Sequence, residues 1–75
     1  MKTKLTAIIR FEDNAYVALT PELDIASQGE TTEEALSNLQ EAVNLFLETA
    51  SKEEIGDRLG SESMITHFEA EYATA

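Results

Sequence analysis

The sequence contains no cysteine, one proline and one histidine, and its five Lys and Arg face fifteen Asp and Glu, for a formal net charge of −10 over 75 residues. Without cysteine there is no disulfide framework, no zinc knuckle and no thiol nucleophile. With so few cations, direct binding to DNA or RNA is not expected, because affinity for nucleic acid comes largely from Lys and Arg neutralising backbone phosphate. The three glycines, Gly29, Gly56 and Gly60, are too scattered to build a phosphate loop. Long apolar runs are also missing. After the basic opening Met1-Lys2-Thr3-Lys4, the polar residues Thr6 and Arg10 interrupt what a signal peptide or membrane span would need. A cytoplasmic protein is expected.

What is present is an apolar share of 43%, which is that of a folding chain and not of a disordered acidic tail. Residues 1–75 read as a single domain. At this length a chain buries only about 60% of the surface exposed when unfolded, so an oligomer or a partner is expected to add stability.

Periodicity supplies the elements. From Lys4 to Phe11 the residues alternate, with Leu5, Ala7, Ile9 and Phe11 on one face and Ile8 and Arg10 on the other, as in a strand. Glu12-Asp13-Asn14 is a polar interruption, and a second strand follows from about Ala15 to Thr20. Pro21-Glu22 ends it, and a short third strand lies near Asp24 to Gln28. Thr31 and Glu34 form a T-x-x-E capping box, so a helix should begin at Thr32. Its apolar stripe is Leu36, Leu39, Val43, Phe46, Leu47 and Ala50, at spacings of three and four. Ser51-x-x-Glu54 repeats the cap, so a short second helix is possible before Gly60, although Gly56 weakens it. From Ser63 alternation returns, with Met64, Thr66, Phe68, Ala70 and Tyr72 on one face, which reads as a fourth strand.

The expected fold is therefore α+β, in the order β-β-β-α-β. A right-handed crossover would set the fourth strand beside the first and parallel to it, giving a four-stranded mixed sheet of order 3-2-1-4 with one main helix on one face.

Catalytic arrangements are not found, and no enzyme, cofactor or resident metal is expected. His67 is the one imidazole, with Glu69 on the same strand face as a possible orienting partner. Two surfaces stand out instead. Glu34, Glu41 and Glu48 are seven apart on the outer helix face, and no Lys or Arg occurs between Arg10 and Lys52. Leu45 sits within that acidic face and is a candidate anchor. On the open face of the sheet, Ile8, Tyr16, Ala18 and Ile65 would gather inside a rim of Lys4, Arg10, Glu69 and Glu71, which suits an interface between copies.

The stretch Tyr16-Val17-Ala18-Leu19-Thr20-Pro21-Glu22-Leu23, followed by Gln28-Gly29-Glu30-Thr31-Thr32-Glu33-Glu34-Ala35, resembles the HicB-like antitoxin family. The pattern is Y-V-A-x-x-P-E-L, a short gap, then G-x-T-x-E-E-A opening a helix, and with its flanks it covers roughly the first two thirds of the chain. Ala15 and Asp24-Ile25 stand where the family often has Gly and Pro-Gly. The resemblance implies a truncated RNase H-like fold and the toxin-neutralising half of an antitoxin, without the C-terminal DNA-binding module of longer members. RNase H activity does not carry over, since the first strand has no central Asp. The implied partner is a small basic ribonuclease of the HicA type, whose RNA-cleaving surface a HicB-like protein covers. Candidate contacts are Glu22, Glu30, Glu33, Glu34, Glu41, Leu45 and Glu48. The competing reading is an orphan homo-oligomeric module that binds a small molecule or a metal, with His67, Glu69 and Glu71 as its ligands.

Overall fold

Two tight turns set the sheet. The structure, a computed structural model, describes residues 2–60 and 63–73. β1 (Ile8–Glu12) and β2 (Ala15–Thr20) are joined by Asp13 and Asn14, whose φ angles of 49° and 63° place both in the left-handed region. A two-residue turn with both residues left-handed matches the twist of the flanking strands, and Asp and Asn tolerate it better than bulkier residues. β2 returns into β3 (Ile25–Gly29) through turn 21–24, where Asp24 takes the left-handed position with φ 55°. The three strands form an antiparallel sheet in the order β1-β2-β3.

Register decides which side chains meet the core. Phe11 lies opposite Tyr16, Ile9 opposite Ala18 and Thr20 opposite Ile25. Directly opposed residues share a face of the sheet. Ile9, Tyr16, Ala18 and Ile25 therefore belong to one face, and α1 (Thr32–Thr49) packs on it. From the helix come Ala35, Leu39 and Val43, which join Ala18 and Leu23 as the buried apolar set among the described residues. Leu5, Ile9, Tyr16, Ile25, Phe46 and Leu47 pack around these five.

α1 starts where its cap dictates. The Thr31 hydroxyl accepts from the Glu34 N–H at 3.0 Å, which satisfies an amide that the first turn leaves without a helical partner, and Glu34 Oε1 reaches back to accept from the Glu30 N–H just before the cap at 3.2 Å. Asn38 Nδ2 donates to the Gln28 carbonyl at 2.7 Å and ties the helix to β3. α2 (Lys52–Leu59) is capped in the same manner, Ser51 Oγ accepting from the Glu54 N–H at 3.1 Å. None of its residues is buried. Arg58 moors it by donating to the Leu23 carbonyl and by standing 4.8 Å from the centre of the Phe46 ring.

The expected β-β-β-α-β order and the four-stranded mixed sheet of order 3-2-1-4 are overturned: the structure has three antiparallel strands followed by two helices. Residues 63–73 form neither strand nor helix, and all of them are exposed. Alternation says which faces a strand would have, yet a strand exists only where a neighbouring edge takes up its N–H and C=O groups. Among the described residues after α2, none pairs with the β1 edge. The first strand is also shorter than expected, because residues 2–7 form no strand and enter instead as a lead-in held by Glu22.

Candidate functional site

Glu22 has one of the best-defined polar environments in the chain. Its carboxylate accepts from the Thr6 N–H at 3.1 and 3.0 Å, from the Thr6 hydroxyl at 2.7 Å and from the Thr20 hydroxyl at 3.2 Å. These donors, the Thr6 hydroxyl foremost, outweigh the cost of partial burial and hold the carboxyl below the usual 4.5. The neighbouring residues of the P-E-L stretch divide the remaining work. Pro21 is exposed at the strand end, and Leu23 is buried under the helix at 1% exposure. Glu22 is thus a structural tie between the lead-in and the turn, and it stands apart from the other candidate carboxylates.

Those others gather along α1. Glu30, Glu33 and Glu34 cluster about its start, and Glu41 and Glu48 continue on the outer face; all five are exposed. Leu45 lies among them with 61% of its surface in solvent. The last turn of α1 carries no basic residue. Among the described residues the ion pairs are Arg10–Glu12 at 3.5 Å and Arg58–Glu54 at 3.4 Å, so neither reaches this face. The arrangement is a row of carboxylates with no internal counter-charge and one apolar side chain, which can attract and seat a cationic surface. Glu34 has a second duty in the helix cap.

The proposed sheet-face cluster is placed differently. Tyr16 and Ala18 lie on the helix-covered side, Ala18 with no exposed surface, and the Tyr16 ring stands 4.9 Å from Phe11. The reason is the length of the first turn. With Asp13 and Asn14 as the whole loop, Phe11 pairs with Tyr16, and the parity of β2 is the reverse of that expected from a three-residue interruption. Ile8 is opposite Leu19 on the open face and is 39% exposed, whereas Ile65 belongs to segment 63–73 and is 53% exposed. Ile8, Tyr16, Ala18 and Ile65 are therefore not brought together. His67, Glu69 and Glu71 are all exposed in the same segment, and among the described residues no three His, Asp or Glu side chains are grouped to hold a metal ion.

Two residues that matter were not singled out as candidates. Leu23 is a core residue whose signal was its place after Pro21-Glu22, and Arg58 is the mooring of α2, for which periodicity offered no signal.

The fold and surface define a small α+β domain in which one capped helix closes one face of a three-stranded antiparallel sheet and turns an acidic face outward. The chain belongs to the UPF0150 family: it is 34% identical over 70 residues to a UPF0150 protein of Helicobacter pylori strain J99, a match that takes in 92% of this chain and 97% of that relative. No protein-family model matches the chain, and no solved structure matches it. Among the described residues, no helix is long and apolar enough to cross a membrane.

Proposed function

We propose that this protein is a cytoplasmic, non-enzymatic antitoxin of the HicB-like kind, which binds a small basic HicA-type ribonuclease and blocks its RNA-cleaving surface. The observation that carries the reading is the outer face of α1, where Glu33, Glu41 and Glu48 stand exposed with Leu45 and without a basic neighbour on the helix. A ribonuclease surface is built to receive phosphate. Carboxylates presented on a rigid helix occupy the same positive field, and a net charge of −10 steers the encounter. The motif that resembles HicB-like proteins supports the reading from a second direction, since its residues open and anchor the helix that presents this face.

The test is the association rate with a HicA-type ribonuclease at two ionic strengths, for the wild type and for a Glu33→Lys, Glu41→Lys, Glu48→Lys variant. Glu34 is left in place because it caps α1. The variant should associate on the order of tenfold more slowly at low salt, with the gap shrinking as salt is added. Equal rates at both salts would remove the α1 face from the contact.

A further inference from the structure

Segment 63–73 exposes large apolar side chains to an unusual degree: Met64 is 85%, Phe68 88% and Tyr72 86% exposed. These three share one face whenever the segment is extended, together with Thr66 and Ala70, because side chains alternate along extended backbone. Isolated exposed apolar residues are ordinary, but an aligned series of this size marks a contact surface.

A complementary recess lies elsewhere on the chain. A half-open groove of ≈ 620 Å³ runs between lead-in residues 2–7 and one flank of α1, with Leu5, Leu36, Leu39, Val43 and Leu47 among its walls. Leu36 belongs to the apolar stripe of α1 yet remains 36% exposed, because none of the described residues covers the helix on this side. Lys2 lies at the groove, and with Met64, Phe68 and Tyr72 turned inward an extended segment keeps Glu69 and Glu71 on its outward, solvent-facing side. Besides the lead-in and α1 the groove is lined by Thr20 of β2, and among the described residues β1 pairs with β2 alone.

The chain's own segment does not fill the groove. Its root, α2, is moored through Arg58 to Leu23 and Phe46, and neither of these residues nor any residue of α2 lines the groove. We infer that the groove receives segment 63–73 of a second copy of this chain, and that two copies exchange these segments reciprocally about a twofold axis. The exchange covers the apolar series on both chains at once and leaves no groove vacant, which is the closed arrangement expected of a two-chain assembly. The small buried apolar core, Ala18, Leu23, Ala35, Leu39 and Val43 among the described residues, is the second argument, since small domains commonly gain what the core lacks by association. The inference goes beyond the antitoxin reading and does not depend on it.

The test uses the full chain alone. Sedimentation at micromolar concentration should give a species of twice 8.3 kDa. A Met64→Asp, Phe68→Asp variant should run as the single chain with its far-ultraviolet circular dichroism unchanged. Because the protein has no cysteine, a Leu36→Cys variant mixed with a Phe68→Cys variant can be joined by a short bis-maleimide only across two chains, and a covalent two-chain product is expected. This second arm stands even if the aspartate variant fails to fold. A single-chain wild type, a dimer that survives both aspartates, or a Leu36→Cys, Phe68→Cys double variant that crosslinks only within itself would each overturn the proposal. The last outcome would mean that the segment covers its own groove.

Discussion

Replacing Gly29 by alanine should destabilise the protein far more than a single methyl group suggests. Gly29 ends β3 opposite Tyr16, on the face over which α1 begins. Its φ is not positive, so backbone freedom is not the reason for glycine there. A Cβ at this position would stand 2.6 Å from the Ala35 nitrogen, 2.8 Å from Glu34 Cγ and 2.9 Å from the Glu34 carbonyl carbon. Two of those atoms are backbone of the first helical turn and cannot rotate aside. Overpacking of this kind costs about 1–3 kcal/mol, and the fixed neighbours favour the upper part of that range. Stiffening the unfolded chain returns about 0.4–1 kcal/mol, which leaves a net loss of about 2 kcal/mol. For a domain of this size that corresponds to a fall in Tm of roughly 8–16 °C. The measurement is thermal unfolding of Gly29→Ala beside Gly56→Ala at equal protein concentration. Gly56 is the control because a Cβ there meets nothing within 4 Å. If Gly29→Ala unfolds at the wild-type midpoint, the close approach of β3 to α1 is wrong.

Two further outcomes follow from hydrogen bonds to side chains. The Glu22 carboxyl is held below 4.5 in the folded chain, so its contribution to stability is fully present above that pH and is lost as pH falls through the lowered value. Urea unfolding should therefore show Glu22→Gln about 1 kcal/mol less stable than wild type at pH 7, with the gap closing in acid; a pH-independent gap would rule out the carboxylate as its source. Thr31→Ala removes the cap acceptor for the Glu34 N–H and should cost about 1 kcal/mol, read as a Tm fall of roughly 4–8 °C, and an unchanged Tm would contradict the capping geometry.

The parts of the fold that were legible in the sequence are those fixed by local chemistry. Thr31 and Glu34 named the start of α1 because a cap is complete within four residues. Ser51 and Glu54 did the same for α2, whose Gly56 weakens the helix without ending it. The features that were misread depend on partners far along the chain. Whether Tyr16 faces the helix turns on one residue of loop length, and counting Glu12 in the turn sends Tyr16 and Ala18 to the wrong side. The alternation from Met64 to Tyr72 is a property of the sequence, but pairing is a property of the edge it meets, and the described residues 63–73 pair with none. The carboxylates of α1 were legible as an exposed row because helical spacing alone fixes their face. Their burial and bonding differ from that of Glu22, whose donors Thr6 and Thr20 come from the lead-in and from β2.

Turn 21–24 is where both halves of the molecule are made fast. Glu22 takes the lead-in across a separation of 16 residues, and the adjacent Leu23 carbonyl takes Arg58 across 35. Each tie closes a chain loop, and the entropy of closing the longer one exceeds that of the shorter by only about 0.7 kcal/mol, since the cost grows with the logarithm of length. A load applied at the two ends of the domain would therefore converge on these two neighbouring residues before it reached the sheet. Mechanically, the turn is the knot in the string: when it opens, the lead-in loses its tie to Glu22 and α2 loses its tie to Leu23 in the same event, leaving α2 only the contact of Arg58 with Phe46 among the ties described.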